Sequence, residues 1–181
     1  MSQKKYFLLI NLILGSLLLF SYYNGVSRNP KIASQLWGGV PPVLIPYIVS
    51  SMFLGAFGYF FFTYYLAFKL EHKSVKVFKK FRFSIFNITY LLILIPSCLW
   101  MDLSILYIST QNSLFWILAV AGLYTVGLSS VLLLLCLINI KPKKKSLLYR
   151  VSVIGCCFFT FHTMFLDGLL WTIFFIIKEN K

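Results

Sequence analysis

Residues 113–139 read SLFWILAVAGLYTVGLSSVLLLLCLIN and contain no charged side chain. An α-helix needs about 20 apolar residues to cross the hydrocarbon core of a bilayer, so this stretch is long enough to span a membrane. A membrane-spanning strand would alternate apolar and polar residues instead of running continuously apolar. The stretch therefore predicts a transmembrane helix.

Four further stretches have the same character, and the composition of the chain agrees with them. With 113–139 as the fourth in chain order, the predicted helices cover about 6–23, 42–68, 84–108, 113–139 and 148–177. Of the 181 residues, 60% are hydrophobic and 12% are charged, whereas about a quarter of the residues in ordinary soluble domains are charged. We therefore predict an all-α fold, with residues 1–181 forming a single domain: a multi-pass (polytopic) integral membrane helical bundle of five transmembrane helices.

The distribution of basic residues predicts how the bundle is oriented. Thirteen of the 17 lysines and arginines fall on the side of the N-terminus: Lys4, Lys5, Lys69, Lys73, Lys76, Lys79, Lys80, Arg82, Lys141, Lys143, Lys144, Lys145 and Arg150. The other side carries Arg28, Lys31, Lys178 and Lys181. Cytoplasmic loops of membrane proteins are enriched in basic residues, so we expect the N-terminus inside and the C-terminus outside.

The first span has a second interpretation. MSQKK followed by an apolar run is also the pattern of a secretory signal peptide. The apolar run here is longer than a typical signal core, and the following SYYNGVSRNP, residues 21–30, contains no suitable cleavage site. We favour a retained helix; cleavage would leave four spans with the same orientation.

The net charge of +13 does not indicate nucleic acid, because the basic residues flank apolar spans and no soluble domain remains to hold a duplex. Membrane lipid with anionic headgroups is the expected partner of the basic loops. Among these loops, residues 71–83 (EHKSVKVFKKFRF) interleave basic residues with Val and Phe. They predict either a solvated loop, which we favour, or a short interfacial helix.

No motif of an enzyme or a cofactor site is found in the sequence. HExxH, GxSxG and Walker A patterns do not occur, and the aspartates stand in WMD and FLDG rather than in the YD and GxGD contexts of intramembrane aspartic proteases. The four cysteines form no CxxC or Cys/His ligand spacing. We therefore expect no enzyme activity, no metal site and no cofactor.

Small residues indicate where helices pack closely. They occur in span two, where Ser51, Gly55, Ala56 and Gly58 lie, and in span four, where Ala121, Gly122, Thr125, Gly127, Ser129 and Ser130 lie. Small residues four apart allow close backbone approach in lipid, so we expect spans two and four at the centre of the bundle. Pro96 lies within span three, and we expect it to kink or locally open that helix.

Asp102 and Asp167 are acidic residues inside predicted spans. Such residues are costly in a bilayer and usually face a bundle interior or a wet cavity. At 100° per residue, Asp167 shares a stripe with Thr163 and Trp171, whereas His162 lies about 140° away. We therefore expect Asp167 to hydrogen-bond Thr163 or to share a proton or water with Asp102, and His162 to find a separate partner on a neighbouring helix.

Two functional hypotheses follow. The first is a protein that binds or transports a small hydrophobic or weakly polar ligand through an extracytoplasmic-side cavity, with a homodimer as one possible arrangement. The candidate ligand-binding residues are Asp102, Asp167, Thr163, Trp171, Trp100 and His162. The second is an accessory or assembly subunit, whose intramembrane aspartates and small-residue faces would hold a partner membrane subunit.

The entry to span two, WGGVPPVLIPYIV at residues 37–49, resembles the translocator-protein family of tryptophan-rich sensory proteins, as do the five spans and the aromatic residues of the outer side. The resemblance implies a five-helix pocket for hydrophobic ligands. It covers residues 37–59, lacks the family's WxPP-like and Gly-Pro-Val-Trp elements, and transfers no residue roles.

Overall fold

The computed structural model describes residues 2–142 and 146–179, except for the side chains at 33, 34 and 176–179. Lys143, Lys144, Lys145 and Lys181 of the predicted charge pattern, and the side chain of Lys178, therefore lie outside the described part. The α-helices are α1 (Gln3–Arg28), α2 (Pro30–Ala33), α3 (Ile45–Tyr64), α4 (Ser84–Thr110), α5 (Ser113–Ile138), α6 (Leu147–Thr160) and α7 (Thr172–Glu179).

Shorter elements complete the chain. 3₁₀ turns occupy Ser34–Trp37 and Pro42–Leu44, and the two-residue strands are β1 (Lys76–Val77) and β2 (Ile140–Lys141). Two segments form wide π-helical turns: the first π segment, Tyr65–Lys69, continues α3, and the second π segment, Phe161–Trp171, joins α6 to α7.

The all-α bundle with five candidate spans is confirmed. Five helical stretches are long and apolar enough to cross a membrane: Gln3–Arg28, Pro42–Lys69, Ser84–Thr110, Ser113–Ile138 and Leu147–Phe175. The first span, predicted at 6–23, is longer at both ends, because polar residues that are compatible with a helix flank its apolar run. Pro96 does not interrupt α4, which runs unbroken as a helix to Thr110.

Helix α5 lies at the centre of the bundle, and α3 lies at its edge. Among the five spans, α5 has the largest share of buried residues, whereas the α3 span has one of the smallest. Helix α5 packs against α4 and against both parts of span five, and α3 packs mainly against α6. The prediction of a central span two is therefore wrong, and two of its small residues, Gly55 and Gly58, serve the contact with span five instead.

Glycines bring α3 and α6 into backbone contact. The Gly155 Cα lies so near Gly58 that a Cβ at Gly155 would be 2.6 Å from the Gly58 Cα, and a Cβ at Gly58 would overlap the Gly155 carbonyl. One turn away, a Cβ at Gly55 would touch the Phe159 Cα at 3.4 Å. Close approach of this kind replaces the hydrophobic drive that is missing between helices in lipid.

One end of the bundle, called here the basic end, holds the N-terminus of α1 and residues 70–83 and 139–142. Strands β1 and β2 pair antiparallel there, so the loop before α4 is joined to the loop after α5. Val75, Val77 and Phe83 are buried under this cap. The alternative of a short interfacial helix in residues 71–83 does not form, because these apolar side chains are drawn into the core and the backbone turns instead.

The other end, called here the tryptophan end, holds residues 29–44 and 111–112 and the end of span five. All four tryptophans lie in the half of the bundle that includes this end: Trp37 in the loop, Trp100 in α4, Trp116 in α5 and Trp171 in the second π segment. The two sides to which the sequence pattern assigns the basic residues therefore correspond to the basic end and the tryptophan end of the bundle.

We predict that Gly58→Ala destabilises the fold by about 1–3 kcal/mol, the usual cost of overpacking a close contact. The added methyl group meets the Gly155 backbone, which has no side chain to move aside. The free energy of unfolding of purified protein, measured by denaturant titration in mixed micelles, tests this.

Gly15→Ala is the matched control, because a Cβ at Gly15 meets no atom within 4 Å. We expect its stability to equal or exceed that of the parent. Equal stability of the two variants would contradict the α3–α6 contact.

Candidate functional site

The second π segment sets the geometry of the candidate site. Its residues, FHTMFLDGLLW, follow α6 without a break, and the helix widens at Phe161 and returns to α-helix at Thr172. In a π-helix each backbone amide bonds the carbonyl five residues earlier, so residues five apart lie near each other on one face. Wide turns of this kind are rare in proteins, and those that occur are often found at functional sites.

His162 and Asp167 are brought together by this geometry. The His162 Nε2 lies 3.5 Å from the Asp167 Oδ1. The expectation that the two residues point 140° apart is wrong, because it assumed α-helical spacing throughout span five. The His162 side chain is 9% exposed and the Asp167 side chain 37%, so the aspartate is the accessible member of the pair.

Thr163 is not the hydrogen-bond partner of Asp167. Its Oγ1 lies 2.9 Å from the Ser130 Oγ of α5 and 2.9 Å from the Phe159 carbonyl oxygen. Ser130 in turn donates to the Gly127 carbonyl, and Thr160 donates to the Ser130 carbonyl at 3.1 Å. The prediction for Thr163 is corrected accordingly: its hydroxyl joins span five to α5.

Gly127 allows this junction. A Cβ at Gly127 would lie 2.9 Å from the Met164 Sδ and 3.0 Å from the Met164 Cα. Of the small residues that the sequence indicates in span four, Gly127 and Ser130 thus meet the second π segment, which carries the His162–Asp167 pair.

An aromatic cluster surrounds the end of the second π segment. The Trp171 ring lies 5.5 Å from both the Trp100 and the Trp116 rings, measured between centroids. Phe175 lies 4.8 Å from Trp171 and 4.9 Å from Trp116. Span three, span four and span five therefore meet through aromatic rings at the tryptophan end.

Tyr22 extends this cluster towards Asp167. Its ring stacks on Trp100 at 6.0 Å with an interplanar angle of 29°. The Asp167 carboxyl lies close enough to Tyr22 to act on it electrostatically. Asp167 is thus near Tyr22, whose ring stacks on Trp100, while Trp171 stands one turn further along the same segment.

The loop between spans one and two is docked onto span five. The Trp171 Nε1 donates to the Leu36 carbonyl oxygen at 2.6 Å, and the Gly39 amide donates to the Phe174 carbonyl oxygen at 3.2 Å. Gly38 adopts a φ of +56°, and a Cβ there would lie 2.8 Å from the Phe175 Cδ2. These contacts cover the aromatic cluster from the tryptophan end.

Asp102 lies in a different environment from Asp167. It is exposed on the surface of α4, between buried Met101 and half-buried Leu103. It lies eight positions before the end of α4 at Thr110, or about 12 Å along the axis. The two aspartates that were predicted to line one cavity therefore differ in burial. Asp167 is paired with His162 rather than with Asp102.

An apolar cleft of about 220 Å³ opens between α4 and α5. Pro96, Leu99, Trp100 and Leu103 line it on α4, and Leu118, Ala119 and Gly122 line it on α5. Gly122 faces Pro96, where a Cβ would be 3.6 Å from the proline Cβ. Trp100 therefore borders both the cleft and the aromatic cluster.

Several buried polar atoms of α4 and span five have no hydrogen-bond partner within the described part of the chain. They are the Trp100 Nε1, the Ser104 Oγ, the His162 Nδ1 and the Thr172 Oγ1. Buried polar groups are nearly always paired with protein or ordered water, so each such group calls for a partner. Together with Asp167, they give this half of the bundle both donors and an acceptor for a polar group.

Sequence reasoning did not identify Tyr22, Ser104 or Thr172 as part of this region. Ser104 stands four residues after Trp100 and on the same face of α4, which is a signal that helical spacing contains. Tyr22 carries no comparable signal, because its position follows from how α1 packs against α4.

The described residues include no group of three or more His, Cys, Asp or Glu side chains with the arrangement of a metal site. Comparisons with protein-family models, with curated proteins and with solved structures give no match for this chain. The resemblance in residues 37–59 therefore stays a likeness of size and span count, and the functional argument depends on the geometry.

We predict a coupling free energy of about 0.5–2 kcal/mol between His162 and Asp167, the range of interhelical and intrahelical polar contacts in membrane proteins. A double-mutant cycle of His162→Leu, Asp167→Leu and the double variant, scored by the free energy of unfolding, measures it.

The cycle of His162→Leu with Asp102→Leu is the control, and its effects should add within about 0.5 kcal/mol, as they do for independent sites. Additivity in the His162–Asp167 cycle as well would mean that the two side chains do not interact and that the π geometry is not populated.

Proposed function

We propose that this chain is a multi-pass membrane protein that binds, and in one form of the hypothesis transports, a hydrophobic or weakly polar small molecule in the half of the bundle near the tryptophan end. The observation that carries the proposal is the His162–Asp167 pair, a partly accessible carboxylate and a buried imidazole inside an apolar helical segment. Ionisable residues inside membrane spans are expensive and are usually functional.

The surroundings of the pair support this proposal. Small-molecule sites combine an apolar lining with a few convergent polar groups. The cleft beside Trp100 supplies the apolar lining, and the unpartnered polar atoms of Trp100, Ser104 and His162 supply the polar groups. Of the six candidate residues from the sequence, the proposal keeps Asp167, His162, Trp100 and Trp171.

A second candidate function, that of an accessory subunit, is favoured by Asp102 alone. A carboxylate on the outer surface of a membrane helix is costly unless a headgroup or a partner helix receives it. A second copy of this chain or another membrane subunit would satisfy Asp102 by placing a hydrogen-bond donor beside α4.

Native mass spectrometry of protein released gently from membranes tests both candidates. We expect a small molecule to accompany the parent and the Asp102→Asn variant and to be lost from Asp167→Asn, because only Asp167 belongs to the proposed site. The same mass on all three proteins would contradict the ligand site.

The accessory role predicts the reverse dependence. A co-purifying polypeptide would then be lost from Asp102→Asn and retained by Asp167→Asn. A polypeptide that stays with both variants would contradict the assignment of Asp102.

We further propose that the basic end faces the cytoplasm and touches anionic headgroups there. Basic side chains are enriched at the cytoplasmic ends of spans and attract anionic lipid. At this end Phe78 and Phe81 are exposed beside Lys79 and Lys80 in a tight turn, in which the Val77 and Phe81 backbones exchange hydrogen bonds of 2.8 and 2.9 Å. Exposed rings among lysines suit the boundary of headgroups and acyl chains.

A cysteine placed at each end tests this orientation. Ser74 and Gln111 are exposed at the basic and the tryptophan end, respectively. We expect a membrane-impermeant maleimide to label Gln111→Cys on intact cells and to label Ser74→Cys only after lysis, with the parent as the background control. The opposite labelling pattern would mean that the bundle has the opposite orientation in the membrane.

A further inference from the structure

The charge around Asp167 is the starting point for a statement about the ligand. Within the described residues, the side chain paired with Asp167 is His162, whose Nε2 lies 3.5 Å from the Asp167 Oδ1 and forms an ion pair with it only when the imidazole is protonated. That distance is longer than the 2.7–2.9 Å of a strong charge-assisted hydrogen bond. The carboxylate therefore keeps most of its capacity to accept hydrogen bonds or to pair with a cation.

The neighbouring spans supply no Lys or Arg inside the membrane region. No such residue occurs between Lys5 and Arg28 in span one, between Arg82 and Lys141 in spans three and four, or between Arg150 and Lys178 in span five. An anionic ligand would meet an uncompensated carboxylate of the same sign. A cationic group is the ligand chemistry that the carboxylate favours.

Aromatic rings near Asp167 favour the same chemistry. Tyr22, which Asp167 is near enough to influence electrostatically, stacks on Trp100, and Trp171 of the same segment meets Trp100 edge to face with an interplanar angle of 71°. The faces of aromatic rings attract organic ammonium groups, most strongly where water is excluded. The cleft of about 220 Å³ next to Trp100 has room for a compact apolar body attached to the ammonium group.

From this juxtaposition we propose that the ligand is a compact lipophilic amine in its protonated form, with its ammonium group on Asp167 and the Tyr22 and Trp100 rings and its apolar body beside Trp100. This inference rests on the proposed function, since it names the class of molecule that the same site binds. It involves no covalent step.

A pair of probes with one shape and different charge tests the proposal. The probes are 1-adamantylamine, which is protonated at neutral pH, and 1-adamantanol, which is neutral. Binding is measured by equilibrium dialysis on the full chain in nanodiscs of zwitterionic phosphatidylcholine, with empty nanodiscs as the blank for partitioning into lipid. We expect the amine to bind the parent at least about tenfold more tightly than the alcohol, the ratio expected for a charge-assisted contact.

Variants locate the preference. Asp167→Asn, nearly isosteric and neutral, should remove the preference for the amine, and Asp167→Glu should keep it if the carboxylate is responsible. Tyr22→Leu should weaken the binding of the amine more than the binding of the alcohol. Asp102→Asn is the matched control, because it removes the same charge from the exposed face of α4, and its preference should equal that of the parent. The free energy of unfolding of each variant identifies loss of fold.

The outcomes separate the two claims. If the alcohol binds the parent as tightly as the amine, the site exists but the cationic ligand class is wrong. If the preference for the amine survives Asp167→Asn, the ammonium group is held elsewhere and the inference is wrong. If neither probe binds above the blank, the inference fails together with the proposed ligand site.

Discussion

The tryptophan end depends on the i→i+5 hydrogen bonding of the second π segment. A helix in an apolar environment has no water to satisfy a broken backbone hydrogen bond, so its side chains can be re-aimed only if the backbone stays bonded. A wide turn meets this condition, because each amide still finds a carbonyl while the residues on each face change. His162 then faces Asp167, and Trp171, the last residue of the wide segment, reaches the loop at Leu36.

Span five is consequently the element that the other helices share. One side of it meets α3 through Gly58 and Gly155, where the backbones touch, and the other meets α5 through Gly127 and the Ser130 hydroxyl. Each contact places small residues where the backbones come close, and at the α3 contact Phe62 and Tyr59 also pack on Phe159. Close van der Waals approach and short hydrogen bonds are the forces available between helices in a lipid-like environment. The candidate site lies on the segment that both contacts hold.

The positions of the helices could be predicted from the sequence, whereas the directions in which their side chains point could not. Continuous apolar runs identify five spans because a run of that length has few other structural solutions, and 113–139 agrees with α5 to within one residue. Helical-wheel reasoning failed at His162 because it applies one angle per residue, and no local pattern in FHTMFLDGLLW marks the change to a π-helix. The burial of Thr163 and the exposure of Asp102 likewise depend on which helices become neighbours, and hydropathy does not encode the neighbours.

The pairing of β1 with β2 has a mechanical consequence. It joins the loop before α4 to the loop after α5 across the basic end, where buried Val77 and Ile140 lie opposite each other. The tryptophan end has no strand pairing among its described residues, and it is closed by the docked loop that Trp171 holds. Helices α4 and α5 are therefore tied at both ends, by this pairing at the basic end and by residues 111–112 at the tryptophan end, so the cleft between them is framed by two helices that cannot move apart independently at either end.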